Sequence, residues 1–229
     1  MVRLLALYSG GKDSTLAVEK ALRAGHEVAC LVTVRPQKLD SWMFHSVCLS
    51  ATPLQAEAMR APHIFIDVSG EKELELAELA QSIKEVIDNY RVEGILSGAI
   101  TSNYQKKRID TICSKYSVKH LSPNWGMSGR MILEEVVNRG YEVLITSVSA
   151  YGLGREWLGR GIDREAVNEL VKASSIYGFN PGGEGGEYET LVLDCPIFTK
   201  RLVITGYEVV WRKSSGYIQP TSLRLTPKS

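Results

Sequence analysis

Leu4-Leu5-Ala6-Leu7-Tyr8-Ser9-Gly10-Gly11-Lys12-Asp13-Ser14 is the stretch on which the reading of the fold turns. Its apolar start is too short for a helix and ends in paired glycines, and an amphipathic segment follows from Thr15 to Ala24. The predicted local order is strand, loop, helix. That order suits an anion. Glycines let the backbone approach a ligand closely, the free N–H groups of the helix start face the loop, and the helix dipole favours negative charge there. Ser9, Lys12 and Ser14 add donors, and Asp13 places a carboxylate where a divalent cation on the phosphates would sit. The loop predicts a phosphate grip.

The spacing is neither Gly-x-x-x-x-Gly-Lys-Ser/Thr nor Gly-x-Gly-x-x-Gly, so the Walker loop and the dinucleotide fingerprint are both excluded. It resembles the PP-loop of the N-type ATP pyrophosphatases, Ser-Gly-Gly-x-Asp-Ser. That resemblance implies ATP cleaved between its α and β phosphates and an oxygen of the acceptor adenylated.

Outward from the loop, strands and helices alternate. Strands are predicted at Glu27–Val34, His63–Val68, Gly94–Gly98 and Val118–Leu121, and helices from Thr52, over Glu71–Tyr90 and over Thr101–Tyr116. The strand at Glu27–Val34 is nearly continuously apolar, as befits a parallel sheet covered on both faces. The rhythm predicts an α/β three-layer sandwich with a parallel sheet, resembling the adenine nucleotide alpha hydrolase group. Thr52-Pro53-Leu54-Gln55 reads as a capping box. Trp42, Phe44 and His45 cluster in an irregular segment that either caps a pocket or packs on the sheet edge.

The small residues ending at Gly98 leave room for a nucleotide, and Tyr104, Gln105 and Arg108 share a helix face beside them. From Asn124 the pattern changes: a helix at Arg130–Asn138, a strand at Tyr141–Ser149, a helix capped by Asp163, then strand-rich sequence from Thr190. Two domains are predicted, residues 1–123 for ATP and residues 124–229, smaller and α+β, for the acyl substrate. The tail from Ser214, with Gly216, Pro220 and Pro227, reads as partly loose.

A second unusual stretch is Pro181-Gly182-Gly183-Glu184-Gly185-Gly186-Glu187-Tyr188-Glu189-Thr190. Four glycines cost roughly 0.5–1 kcal/mol each relative to alanine, which close backbone approach to a ligand would offset. Clustered acids can hold Mg²⁺, accept a proton from an attacking amine or orient a cationic substrate.

This stretch resembles the Glu-Gly-Gly-Glu-[Tyr/Phe]-Glu-Thr signature of the diphthine-ammonia ligase family, PP-loop enzymes that amidate diphthine on elongation factor 2. Leu54-Gln55-Ala56, Tyr104-Gln105-Lys106-Lys107-Arg108, Pro123-Asn124-Trp125-Gly126, Tyr151-Gly152-Leu153 and Trp157-Leu158-Gly159-Arg160 carry the resemblance along nearly the whole chain. It implies ATP bound by Ser9, Gly10, Gly11, Lys12, Asp13 and Ser14, with Gly98 beside them, and Mg²⁺ at Asp13. It implies catalytic work for Lys12, Asp13, Glu187 and Glu189. Tyr104, Gln105, Arg108, Trp125, Gly183, Glu184, Gly185, Gly186 and Glu187 would then meet the acyl substrate. Where the family carries Arg-Asp after Trp-Gly, this chain has Met127-Ser128.

Composition narrows the field. Lys plus Arg number 27 against 26 for Asp plus Glu, so no global charge attracts nucleic acid or an anionic membrane, and neither partner is expected. Cys30, Cys48, Cys113 and Cys195 show no Cys-x-x-Cys spacing and read as free thiols in a reducing, cytoplasmic setting. Position 2 is Val and no glutaminase domain is expected, so free ammonia or an external donor is the anticipated nitrogen source. Oligomeric state is left open. The competing readings are a PP-loop enzyme acting on transfer RNA or a small acid, and a non-catalytic ATP or AMP sensor.

Overall fold

The computed structural model describes residues 1–37, 48–71 and 74–228. The Trp42, Phe44 and His45 cluster lies outside them. The first sheet comprises β1 (Arg3–Leu7), β2 (Glu27–Pro36), β3 (His63–Val68), β4 (Gly94–Leu96) and β5 (Lys119–Leu121), all parallel, in the order β3-β2-β1-β4-β5. Alternate side chains along a strand take opposite faces, and the core follows that rule. Leu4, Ala6, Tyr8, Leu31 and Leu96 pack with α1 (Lys12–Arg23) and α2 (Thr52–Met59). Leu5, Cys30, Val32, Val34 and Ile95 pack on the other face with α3 (Glu75–Tyr90) and α4 (Asn103–Tyr116). These are the three layers of the predicted sandwich.

The remainder folds as α5 (Gly129–Asn138), β6 (Glu142–Val148), α6 (Arg164–Tyr177), β7 (Tyr188–Asp194), β8 (Lys200–Arg212) and β9 (Ser215–Pro227). Its antiparallel sheet runs β7-β6-β9-β8. One apolar core joins α5, α6, β6 and β7 to Leu16 of α1, Ala58 of α2 and Ile100 after β4, so the two sheets share buried surface.

Two local expectations are corrected and a third is met. Thr52 does not cap α2, because a 3₁₀ turn at Leu49–Ala51 already runs into it, and the Thr52 hydroxyl donates back to the Leu49 carbonyl at 2.8 Å. Gln55 therefore does not close a capping box and is free for a long-range task. The tail from Ser214 is not loose, since Ser215–Pro227 pairs along nearly the whole of β8, with Pro220 placed beside the register shift at Gly206 and Tyr207. A residue without an N–H is tolerated where the ladder is already broken. Asp163 is the expected N-cap, accepting from the Ala166 N–H at 2.8 Å.

Candidate active site

The strand order reverses between β1 and β4, and a parallel sheet binds ligands beyond the carboxyl ends of its strands at such a point. A cavity opens there. The loop after β1 supplies Ser9, Gly11, Lys12, Asp13 and Ser14, and the turn after β4 supplies Ser97, Gly98, Ala99 and Ile100. Gln105 and Ile109 of α4 close one side, and Gly183, Glu184, Tyr188, Glu189 and Thr190 close another. The phosphate loop and the glycine-rich acidic loop thus face one space.

Gly10 takes φ +81°, and a Cβ there would lie 2.5 Å from Gln55 Oε1, so its glycine is required twice over. Gln55 is fully buried and donates to the Gly10 carbonyl at 3.0 Å and the Val192 carbonyl at 2.7 Å. Val192 N–H donates to the same Gly10 carbonyl at 3.0 Å, and Lys12 N–H donates to Thr190 Oγ1 at 3.1 Å. Asn124 Nδ2 donates to the Asp13 carbonyl at 2.9 Å. The loop is bolted to β7 and to the segment before α5. Gln55, Thr190 and Asn124, quoted in the sequence only as parts of longer motifs, are the side chains that hold this loop in place.

Lys12 is 2% exposed, and its ammonium donates to Asp13 Oδ2 at 3.0 Å and to the Gly182 carbonyl at 2.5 Å, with the Tyr188 ring centroid 5.3 Å away. A buried charge is held there by one anion, one carbonyl and an aromatic face. Burial pushes the Asp13 carboxyl above its ordinary range, with Lys12 pulling the other way and Glu184 adding to the rise. Asp13 Oδ1 is buried without a hydrogen-bond partner. Among the described residues no group of three or more His, Cys, Asp or Glu could hold a metal ion. A single aimed carboxylate fits a Mg²⁺ ion that shares its other ligands with phosphates and water, the usual pattern for that ion.

The acidic loop divides its carboxylates among different tasks. Glu184 Oε1 accepts from the backbone N–H groups of Ile100 (2.9 Å), Thr101 (2.6 Å) and Ser102 (2.9 Å), and the Thr101 hydroxyl donates to Oε2. It anchors the start of α4, where an anion is favoured by the helix dipole. Burial works against its charge, but the Thr101 hydroxyl and the three N–H groups hold the carboxyl below the ordinary carboxylate range. Glu187 accepts from Asn180 N–H at 3.0 Å and Gly185 N–H at 2.7 Å, and so spends its oxygens on the loop itself. That departs from the expected proton-accepting role. Glu189 lines the cavity.

Of the other residues expected at an acyl substrate, Gln105 and Gly183 line the cavity, whereas Gly185, Gly186, Tyr104, Arg108 and Trp125 do not. Arg108 donates to the Tyr104 hydroxyl at 2.6 Å, and the Lys106 ammonium stands 5.4 Å over Trp125. The glycines also have protein neighbours to satisfy. A Cβ on Gly182 would meet Gly129 Cα at 2.6 Å, one on Gly183 would meet Tyr188 at 2.9 Å, and Gly186 takes φ +84°. Gly98 packs against the first turn of α1, where a Cβ would lie 2.8 Å from Ser14 N. Ser128 caps α5, its hydroxyl accepting from the Met131 N–H at 3.2 Å.

Residues 2–120 match the diphthamide synthase N-terminal domain, and residues 128–223 match the diphthamide synthase C-terminal domain. The chain belongs to the diphthamide synthase family. It is 33% identical over 245 residues to the diphthine–ammonia ligase of Homo sapiens, covering 97% of this chain and 90% of that one. The zebrafish (Danio rerio) diphthine–ammonia ligase is 33% identical over 243 residues, covering 98% and 95%. The Schizosaccharomyces pombe diphthine–ammonia ligase is longer: identity is 35% over 233 residues, which cover 95% of this chain and 38% of that protein. A solved structure described as a predicted subunit of tRNA methyltransferase from Methanocaldococcus jannaschii is similar with a TM-score of 0.45 at 14% identity, over 86% of this chain and 98% of that one, too slight a likeness to argue from. For this diphthamide synthase family member the cavity contains no reactive thiolate, since Cys30, Cys48, Cys113 and Cys195 are buried and free, and burial pushes each up to about 12.

Glu184 gives a pH test of the loop anchor. Its carboxyl is depressed in the folded chain relative to the ordinary 4.5, so the stability it contributes is present above that value and is lost as pH falls through the folded value. The difference in urea midpoint between wild type and Glu184→Gln should be largest near neutral pH and shrink as pH falls below the ordinary 4.5 and through the lower folded value. A difference that stays constant over that range would show that the carboxylate charge does not hold the loop.

Proposed function

We propose that this chain catalyses the ATP-dependent amidation of diphthine on elongation factor 2 to diphthamide, with ammonia as nitrogen donor. The observation that carries the reading is the single cavity onto which the Lys12 phosphate loop and the Glu184–Thr190 stretch both open. The diphthine–ammonia ligases it resembles along nearly their whole length support the same chemistry. In this reading residues 1–123 hold ATP and residues 124–229 present the acyl substrate.

The diphthine carboxylate attacks the α-phosphorus of ATP, the bond to the bridging oxygen breaks, and pyrophosphate leaves with its electrons. Lys12 and the N–H groups of Gly11 and the start of α1 meet the charge that grows on pyrophosphate. Asp13, through its unpartnered Oδ1, would hold Mg²⁺, which supplies charge neutralisation at the phosphates. Ammonia then attacks the acyl carbon and AMP leaves. Glu189, on the cavity wall, would take the proton of an arriving ammonium ion before the attack, so that free ammonia is the nucleophile. Gln105 and Gly183 border the acyl side.

The experiment is to measure AMP and pyrophosphate formed from ATP with elongation factor 2 carrying diphthine. Equal amounts of both products, formed only when that acceptor is present, are expected. Turnover with transfer RNA or a small acid and none with elongation factor 2 would overturn the substrate.

A further inference from the structure

One polar chain at the cavity has no part in the chemistry above. Ser97 follows β4 and lines the cavity, and its Oγ lies 2.8 Å from His120 Nε2 on the adjacent strand β5. His120 Nδ1 lies 2.7 Å from Asp110 Oδ1 on α4. Ser122 Oγ stands 2.7 Å from Ser97 Oγ and 3.0 Å from His120 Nε2. The His120 side chain is 7% exposed and that of Asp110 is 40% exposed. The chain therefore runs from the cavity, through a buried imidazole, to a carboxylate that meets solvent.

Three features make this a directed path. Asp110 accepts at Nδ1 and so fixes the tautomer whose Nε2 carries a lone pair facing Ser97. Among the described residues the charged groups facing His120 are Asp110 and Lys106, both from α4, and from the sheet it meets the hydroxyls of Ser97 and Ser122. Burial, with Lys106, holds the imidazole below its ordinary range despite Asp110, so it is neutral and able to accept at pH 7. Asp110 is held below the usual carboxylate range by Lys106 and His120 against its own desolvation, and remains the anion that an imidazolium needs.

We propose that Ser97, His120 and Asp110 form a proton relay that carries to solvent the proton released when the amine attacks the acyl-adenylate. The proposal rests on the amidation reading given above. As the new C–N bond forms and the acyl C–O bond to AMP breaks, the nitrogen gives a proton to Ser97 Oγ. Ser97 passes its own hydroxyl proton to His120 Nε2, and the imidazolium is paired with Asp110. Once AMP and the amide have left, the imidazolium returns to neutral by giving its Nε2 proton through Ser97 to water in the opened cavity, which leaves the remaining proton on Nδ1 facing Asp110 as at the start.

The test separates the two half-reactions. ATP–pyrophosphate exchange with diphthine-carrying elongation factor 2 and no amine reports adenylation, and single-turnover amide formation at fixed free amine reports the second step. Hydroxylamine, which stays unprotonated at lower pH than ammonia, serves as the amine for the acid arm. His120→Gln should leave exchange within about twofold and slow amide formation about 10²-fold, and Ser97→Ala should slow amide formation by a larger factor than it slows exchange. The wild-type rate should fall on acidification as His120 protonates, and His120→Gln should lose that inflection.

Asp110→Asn guards against a folding artefact, because it leaves the buried ring in place yet offers Nδ1 a donor and so imposes the wrong tautomer. It should also slow the second step alone. Unchanged amide formation in these variants, or exchange and amide formation falling together, would overturn the relay while leaving the amidation reading intact. A wild type that forms no amide with either amine would refute the amidation reading and the relay with it.

Discussion

Lys12→Ala should lower pyrophosphate release from ATP by about 10²–10³-fold, the scale set by losing one preorganised donor to a developing anion. The argument is one of placement. Lys12 begins α1, where the side chain is buried and its ammonium is held between Asp13, the Gly182 carbonyl and the Tyr188 ring. No other lysine or arginine borders the cavity among the described residues, so nothing there replaces the lost charge. In the proposed reaction this side chain, already held at the cavity wall, meets the growing pyrophosphate charge with little reorganisation. Removing it also strands Asp13 and the Gly182 carbonyl, which is why rate must be read beside stability. Single-turnover release on protein shown folded by a urea transition separates the two. Full release by a folded Lys12→Ala protein would leave Lys12 as a bolt between the two loops and nothing more.

Glu19→Ala is expected to have the largest effect on stability, about 3–5 kcal/mol, the usual loss when one partner of a buried charge network is removed. Glu19 is 0% exposed and accepts from the Tyr141 hydroxyl at 2.5 Å, Arg23 Nε at 2.6 Å and Arg139 Nη1 at 3.1 Å. Tyr141 precedes β6 and Arg139 follows α5, so this carboxylate ties α1 to the second sheet and its helices. Burial and the bond to Glu19 push the Tyr141 phenol far above its ordinary range, so it stays a donor at every accessible pH. Arg23 is largely exposed and adds little, and Arg139 is three-quarters covered but keeps Glu135 at 2.6 Å, so the loss falls chiefly on the buried Tyr141 hydroxyl left without its acceptor. Urea unfolding of Glu19→Ala, Tyr141→Phe and the double variant measures the coupling. A loss under about 1 kcal/mol for Glu19→Ala would show that the clamp is not a buried network in solution.

The parts of this protein that can be read from sequence are those set by neighbours in the chain. The strand, glycine pair and helix around Lys12 interact within a dozen residues, and the nearly continuous apolar run Glu27–Val34 predicts a strand covered on both faces, as found for Leu31 on one face and Cys30, Val32 and Val34 on the other. Gln55 is the instructive failure. Thr-Pro-Leu-Gln suits a capping box, but a 3₁₀ turn supplies the helix start, and the amide instead spans the Gly10 and Val192 carbonyls. Nothing local encodes a partner 137 residues away. Glu19 was invisible for the same reason, since a glutamate on a helix reads as solvated until Tyr141 is placed beside it. The three glutamates of the glycine-rich loop look equivalent in sequence. Their division into a helix anchor, a loop brace and a cavity wall follows from which backbone N–H groups the fold leaves within reach of each.

The most direct test is the mass of the modified histidine of elongation factor 2 after incubation with this protein, ATP and ammonium. Replacement of the diphthine hydroxyl oxygen by nitrogen, seen only with ATP and ammonium together and lost in Lys12→Ala, is the result this account predicts. Diphthine left unchanged while AMP and pyrophosphate accumulate with another acceptor would contradict it.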